Sequence, residues 1–178
     1  MMKSAVVTGV LALMAIAGLG AQQRDILARF EGAIGVIPVQ NGAGTANPDG
    51  TLPNVRLNVV RGVAPAAGPW RIASLRASLD RSGHIVVTGR GLLLANGNNI
   101  ARNGNQSVFA TVICEAAAPF VEHNTSFSVP LAPNGDFRIE DTLSDVPTEC
   151  ASPLLLIRTS SNGAWFAAGI QNLDDEDD

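Results

Sequence analysis

The stretch from Ser107 to Ile157, SVFATVICEAAAPFVEHNTSFSVPLAPNGDFRIEDTLSDVPTECASPLLLI, constrains the fold more than any other part of the chain. Its apolar residues recur at every second position, in short runs broken by Pro, Asn and Gly. That is the period of half-buried strands. Val108, Ala110, Val112 and Cys114 share one side of the first run. Phe127, Val129 and Leu131 are read as inward-facing in the second. Phe137 and Ile139 follow on the third, after the turn Ala132-Pro133-Asn134-Gly135-Asp136. These last two runs read as a hairpin. Both cysteines of the chain, Cys114 and Cys150, lie in this stretch and are expected to form one disulfide. Closing a loop of this size stabilises a fold by roughly 3–4 kcal/mol through chain entropy.

The same alternation extends on either side. Ala73, Leu75, Ala77 and Leu79 alternate with Ser74, Arg76, Ser78 and Asp80, and the turn Asp80-Arg81-Ser82-Gly83 leads into the run His84 to Leu94. Together they predict a hairpin. Arg29 to Val39 reads as a strand with Phe30, Gly32, Ile34 and Val36 on one face, and Pro38 puts it at an edge or at the strand's end. Val55 to Val63, Leu154 to Thr159 and Ala164 to Ile170 complete the set, with Leu154 to Thr159 a central strand. Glu115-Ala116-Ala117-Ala118 is the one place where a short helical turn is expected. The fold class is therefore all-β, an antiparallel two-layer β-sandwich of eight to nine strands, with a β-barrel as the alternative. The hairpin Ser128 to Ile139, SVPLAPNGDFRI, is similar to hairpins of transthyretin-like and immunoglobulin-like modules. It departs from the immunoglobulin pattern, since no Trp separates the cysteines and the chain has no Tyr for a tyrosine corner. The resemblance spans a dozen residues and implies an architecture, not an activity.

Residues 1–21 read as a secretory signal. Lys3 gives the positive start, Ala5 to Leu19 the apolar core, and Gly20 and Ala21 the small residues before cleavage. Residues 22–173 then form a single domain, and 174–178 a disordered acidic tail. Lys3 is the only lysine. From Arg24 to Leu173, eleven arginines balance eleven acids, so the formal charge of −4 is that of Asp174, Asp175, Glu176, Asp177 and Asp178 offset by Lys3. A neutral body with an acidic end offers no general match to nucleic acid or to an anionic membrane. The expected location is extracellular or periplasmic, with no membrane association after signal cleavage.

Chemistry-bearing patterns are sparse. His84 and His123 are the only histidines, without the spacing of a metal site, so no metal and no cofactor are expected. Both read as surface residues with solvated partners. No G-x-S-x-G marks a nucleophile, and Ser82 reads as a turn residue. Gly89-Arg90-Gly91 sits inside a strand pattern and reads as a bulge or close approach, not a phosphate loop. No catalytic residue is assigned. Arg76 and Arg90 fall in a segment with few acids and are candidates for an anion or partner patch. Asn105 and Asn124 begin N-glycosylation sequons. The expected function is that of a non-catalytic binding module for a protein or glycan, using loops 41–54, 95–106 and 115–125. The alternatives are a surface or assembly subunit pairing through edge strands, the N-terminal one above all, and, least favoured, a hydrolase.

Overall fold

Strand formation follows the alternation. The computed structural model describes residues 25–41, 47–51 and 54–173. The signal segment 1–21 and the acidic tail 174–178 lie outside the described residues. Seven strands of six or more residues carry the fold: β1 (Ile26–Gly35), β5 (Ser74–Asp80), β6 (His84–Arg90), β8 (Ser107–Ile113), β11 (Phe137–Thr142), β12 (Leu154–Thr159) and β13 (Trp165–Gln171). Six pieces of two or three residues lie between them: β2 (Val39–Asn41), β3 (Val55–Leu57), β4 (Trp70–Arg71), β7 (Leu93–Leu94), β9 (His123–Asn124) and β10 (Val129–Pro130).

The main sheet is antiparallel, in the order β10-β8-β12-β13-β1-β5-β6-β11, with β9 also on β8. It curls into a half-barrel. At one end a bridge between Thr125 and Leu143 and the bond from Ser144 N–H to Asn124 O bring the β11 side against the β8 side. The antiparallel all-β architecture is thus present. Its two layers are the two halves of one curled sheet, where the sandwich and barrel descriptions meet.

The concave face holds the core. Leu75, Ala77 and Leu79 of β5 face Gly89, Val87 and Ile85 of β6 in register. Ile139 and Phe137 of β11 extend the row. Across the curl, Val108, Ala110 and Val112 of β8 lie opposite Thr159, Ile157 and Leu155 of β12. Nearly all of these side chains are fully buried, and each large one contributes about 1.5–3 kcal/mol relative to exposure. Gly89 is required, because a Cβ there would collide with the Phe137 ring. Below the sheet, Trp70 stacks on Phe166 with centroids 4.0 Å apart and closes the other end.

The Cys114–Cys150 disulfide is formed. Arg61 braces it. This residue sits at φ +45° in the two-residue turn between Val60 and Val63, and its guanidinium donates to Ile113 O, Ser152 O and Ser152 Oγ. Those acceptors flank the two cysteines. Three bonds to a half-buried cation offset the strain of a non-glycine residue in the left-handed region.

Several expectations are corrected. The N-terminal strand is central, between β13 and β5, so it offers no edge for assembly. A register shift between Phe30 and Ala33, with Gly32 at φ +85°, turns its face over. Phe30 therefore points into the core, while Ile34 points outward. The turn at 132–136 is present, yet β10 pairs with β8 and β11 with β6, so the expected hairpin splits between two parts of the sheet. Phe127 falls in a bend and is exposed, not inward. Residues 116–119 form bends, and 115–118 make no helical turn. The run from His84 breaks at Gly91, at φ +65°, and Leu93–Leu94 pairs with β4 instead.

Candidate functional site

The most unusual surface is built by the chain that leaves β1. Gly35 packs so closely against the Trp70 carbonyl that a Cβ would collide with it, and the strand stops there. The chain then forms a two-stranded ribbon apart from the main sheet. Val39 lies directly opposite Leu57, and Gln40 opposite Arg56. Val39, Leu57 and Val55 therefore share one face by period two, with Gln40 and Arg56 on the other. Ile37 and Val59 flank the base, where Asn58 donates to Pro38 O and Ile37 O. On the outer face of β1 and β13, Ile34 lies opposite Ala168, with Ile170 two residues on. Ile34, Ile37, Val39, Val55, Leu57, Val59 and Ile170 are each 47–63% exposed. Summed over the ribbon, its base and the outer sheet face, they expose on the order of 600 Å² of apolar surface. Asp49, near the ribbon's tip, is occupied locally by Thr51.

The loops divide between the two ends of the half-barrel. The register of β5, β6, β8 and β12 places loop 95–106 at the end from which the ribbon departs. Loop 115–122 lies at the opposite end, beside the disulfide. Loops 95–106 and 115–122 are therefore not one cluster, and residues 42–46 and 52–53 of the candidate loop 41–54 lie outside the described residues. Loop 95–106 contains a short 3₁₀ turn, Gly97–Asn99, and is tied down by Asn103, which donates to Leu131 O and Ala132 O.

Arg76 and Arg90 share the outer face of β5 and β6, as the pattern implies. They line one groove of about 400 Å³ together with Glu31, Ser74 and Thr88. Arg76 is neutralised by Glu31 at 2.8 Å, both exposed. Arg90 is exposed and has no hydrogen bond or ion pair among the described residues. A largely enclosed arginine was not singled out by the sequence. Arg158 has a side chain only 12% exposed, lies over the Phe109 ring, and reaches Glu122, Thr111 and Gly163 O. Neither its spacing nor its neighbours along the chain signal this, because every contact is made across strands or through a turn.

The histidines differ from the solvated pair expected. His123 is buried, and its Nδ1 lies 2.8 Å from Asp145 O, a carbonyl that only accepts, so Nδ1 carries the proton. His84 is half-buried between two carboxylates, with Nδ1 4.0 Å from Asp80 and Nε2 3.8 Å from Glu140. Asp80 is itself a structural hub. Its Oδ1 accepts from the Ser82 hydroxyl at 2.5 Å and from the amides of Ser82 and His84. Burial pushes the Asp80 carboxyl up. The Ser82 hydroxyl, the two amides and the nearby His84 outweigh it and hold the group below its ordinary value. Ser82 gives its proton to a carboxylate, not to a histidine, which is the arrangement of a braced turn and not of an activated nucleophile.

The two sequons occupy different settings. Asn105 is exposed in a left-handed turn at φ +52°. Asn124 is half-buried in β9 and accepts a hydrogen bond from the Thr111 hydroxyl at 2.6 Å. Among the described residues no group of His, Cys, Asp and Glu is arranged to hold a metal ion. No described helix is long and apolar enough to cross a membrane. No family model, curated protein or solved structure matches this chain.

Proposed function

We propose that this chain is an exported, non-catalytic interaction module that engages a protein partner through the apolar ribbon and the adjoining outer face of β1 and β13. The observation that carries this reading is the uncovered ribbon. Three apolar residues on one face of a two-stranded sheet apart from the main one are each about half exposed or more, and a two-stranded sheet needs a covering surface to be firmly ordered in water. The disulfide, with no membrane-crossing helix among the described residues, is compatible with a protein outside the cytoplasm. A protein partner fits better than a glycan. Glycan sites favour exposed aromatic rings, whereas Trp70, Trp165 and Phe166 are buried and Phe127 alone among the described aromatics is exposed.

An apolar fluorescent dye such as ANS, added to dilute folded protein, tests the reading. The wild type is expected to bind it, and Leu57→Asp to lose most of the signal without a change in melting temperature. A wild type that leaves the dye dark would remove the basis for the proposal.

A further inference from the structure

We infer that the ribbon's partner is a second copy of this chain, the two apolar faces stacking about a two-fold axis. This inference rests on the interaction-module reading above and names its partner. A two-fold contact requires a surface complementary to itself. The ribbon face meets that condition, because it presents Val39, Leu57 and Val55 and no charge, while Arg56 and Gln40 point the other way. Two such faces come together without opposing like charges.

The area is sufficient. If both copies cover Ile34, Ile37, Val39, Val55, Leu57, Val59 and Ile170, the total buried is about 1,200 Å², the lower bound of stable interfaces. A contact of that size lies at the weak end of specific interfaces, so the association is expected to depend on concentration. A lipid surface fits less well. Interfacial binding draws on basic residues beside the apolar face, yet between Ile34 and Val59 the charged residues are Asp49 and Arg56 alone, and the chain carries a net charge of −4.

Sedimentation of the purified protein from roughly 1 to 200 µM, the range over which such a contact titrates, provides the test. The wild type is expected to pass from one to two copies. The double variant Val39→Asp with Leu57→Asp should raise the dissociation constant by more than about tenfold, with an unchanged melt in dilute solution. Arg56→Glu, on the opposite face, should dimerise as the wild type does. A dimer that persists in the double variant would place the contact elsewhere and overturn the inference. A wild type that stays monomeric at the highest concentration while still binding the apolar dye would overturn the second-copy partner and leave the interaction surface standing. A monomer that also fails to bind the dye would overturn both.

Discussion

Two segments of this protein alternate apolar and polar residues in the same way and meet opposite fates. In β5, Leu75, Ala77 and Leu79 alternate with polar residues and are buried. In and just after β3, Val55, Leu57 and Val59 alternate with Arg56 and Asn58 and are exposed. The difference lies in their neighbours. β5 sits between β1 and β6 in a sheet that curls over its own inner face. β3 pairs with β2 alone among the described strands, outside the curl of the main sheet. Alternation thus fixes which side chains share a face, while long-range topology decides whether that face is covered.

The comparison breaks most visibly under alanine substitution. Leu79→Ala is expected to cost about 2–5 kcal/mol, because Leu79 is fully buried among packed neighbours and a cavity remains. Leu57→Ala should change the stability of the monomer by no more than about 0.5 kcal/mol, since it removes surface that water already reaches. Urea unfolding of both variants in dilute solution measures the contrast. Equal losses would mean that the ribbon is packed in solution, and the distinction between the two segments would disappear.

Removing the disulfide sharpens the same distinction. Cys114 and Cys150, 36 apart in sequence, enclose β9, β10 and β11 and leave the ribbon outside. Cys114→Ser with Cys150→Ser should lower stability by about 3–4 kcal/mol. Dye binding by the ribbon in the still-folded variant should stay as in the wild type. Loss of dye binding together with stability would show that the ribbon depends on the body for its order.

What the sequence made legible follows the same division. Local signals were sufficient for the β5–β6 hairpin, where Asp80-Arg81-Ser82-Gly83 supplies turn chemistry between two clean alternations, and for β12, whose apolar run marks burial on both faces. They were insufficient where two faces exchange or partners are distant. Gly32 gives no warning that the inward side of β1 reverses after Phe30. The turn at 132–136 has every residue a hairpin needs, yet the strands it joins pair with β8 and β6. The pairing of the cysteines was readable because there are only two. The apolar ribbon was not, because Val55, Leu57 and Val59 have the pattern of any core strand. Exposure is a property of what fails to cover a residue, which lies far along the chain or outside it. Arg158 and Arg61 were opaque for the same reason, their partners being 36 to 91 residues away apart from the turn contact of Arg158 with Gly163 O.

Asp80 gives the body a pH dependence. Its carboxyl is held below the ordinary value of 3.8 in the folded state, so the unfolded chain takes up the proton first as the pH falls. The stabilisation is fully present above that value and is lost as the pH drops through it towards the folded one. Asp80→Asn should therefore be less stable than the wild type at pH 6, by about 2 kcal/mol for charge-assisted bonds. The gap between the two proteins should narrow as the pH falls below 3.8. Urea midpoints across that range check the sign, and a gap that widens on acidification would contradict the assignment.

The smallest effect concerns the outer face of β5, the side that, like the ribbon, faces water. Arg76 and Glu31 are 2.8 Å apart, but their side chains are 80% and 56% exposed. Solvent screens such a pair, and holding two long side chains in one geometry costs entropy, so a double-mutant cycle with Arg76→Ala and Glu31→Ala should return a coupling below about 1 kcal/mol. The charged face of β5 would then contribute as little to folding as the apolar face of β3, and for a shared reason: neither is removed from water. A coupling well above that bound would mean that the groove between Arg76 and Arg90 is drier than its exposed position implies. It would also make that groove, with Arg90 unpaired beside it, a second surface able to take a partner's carboxylate.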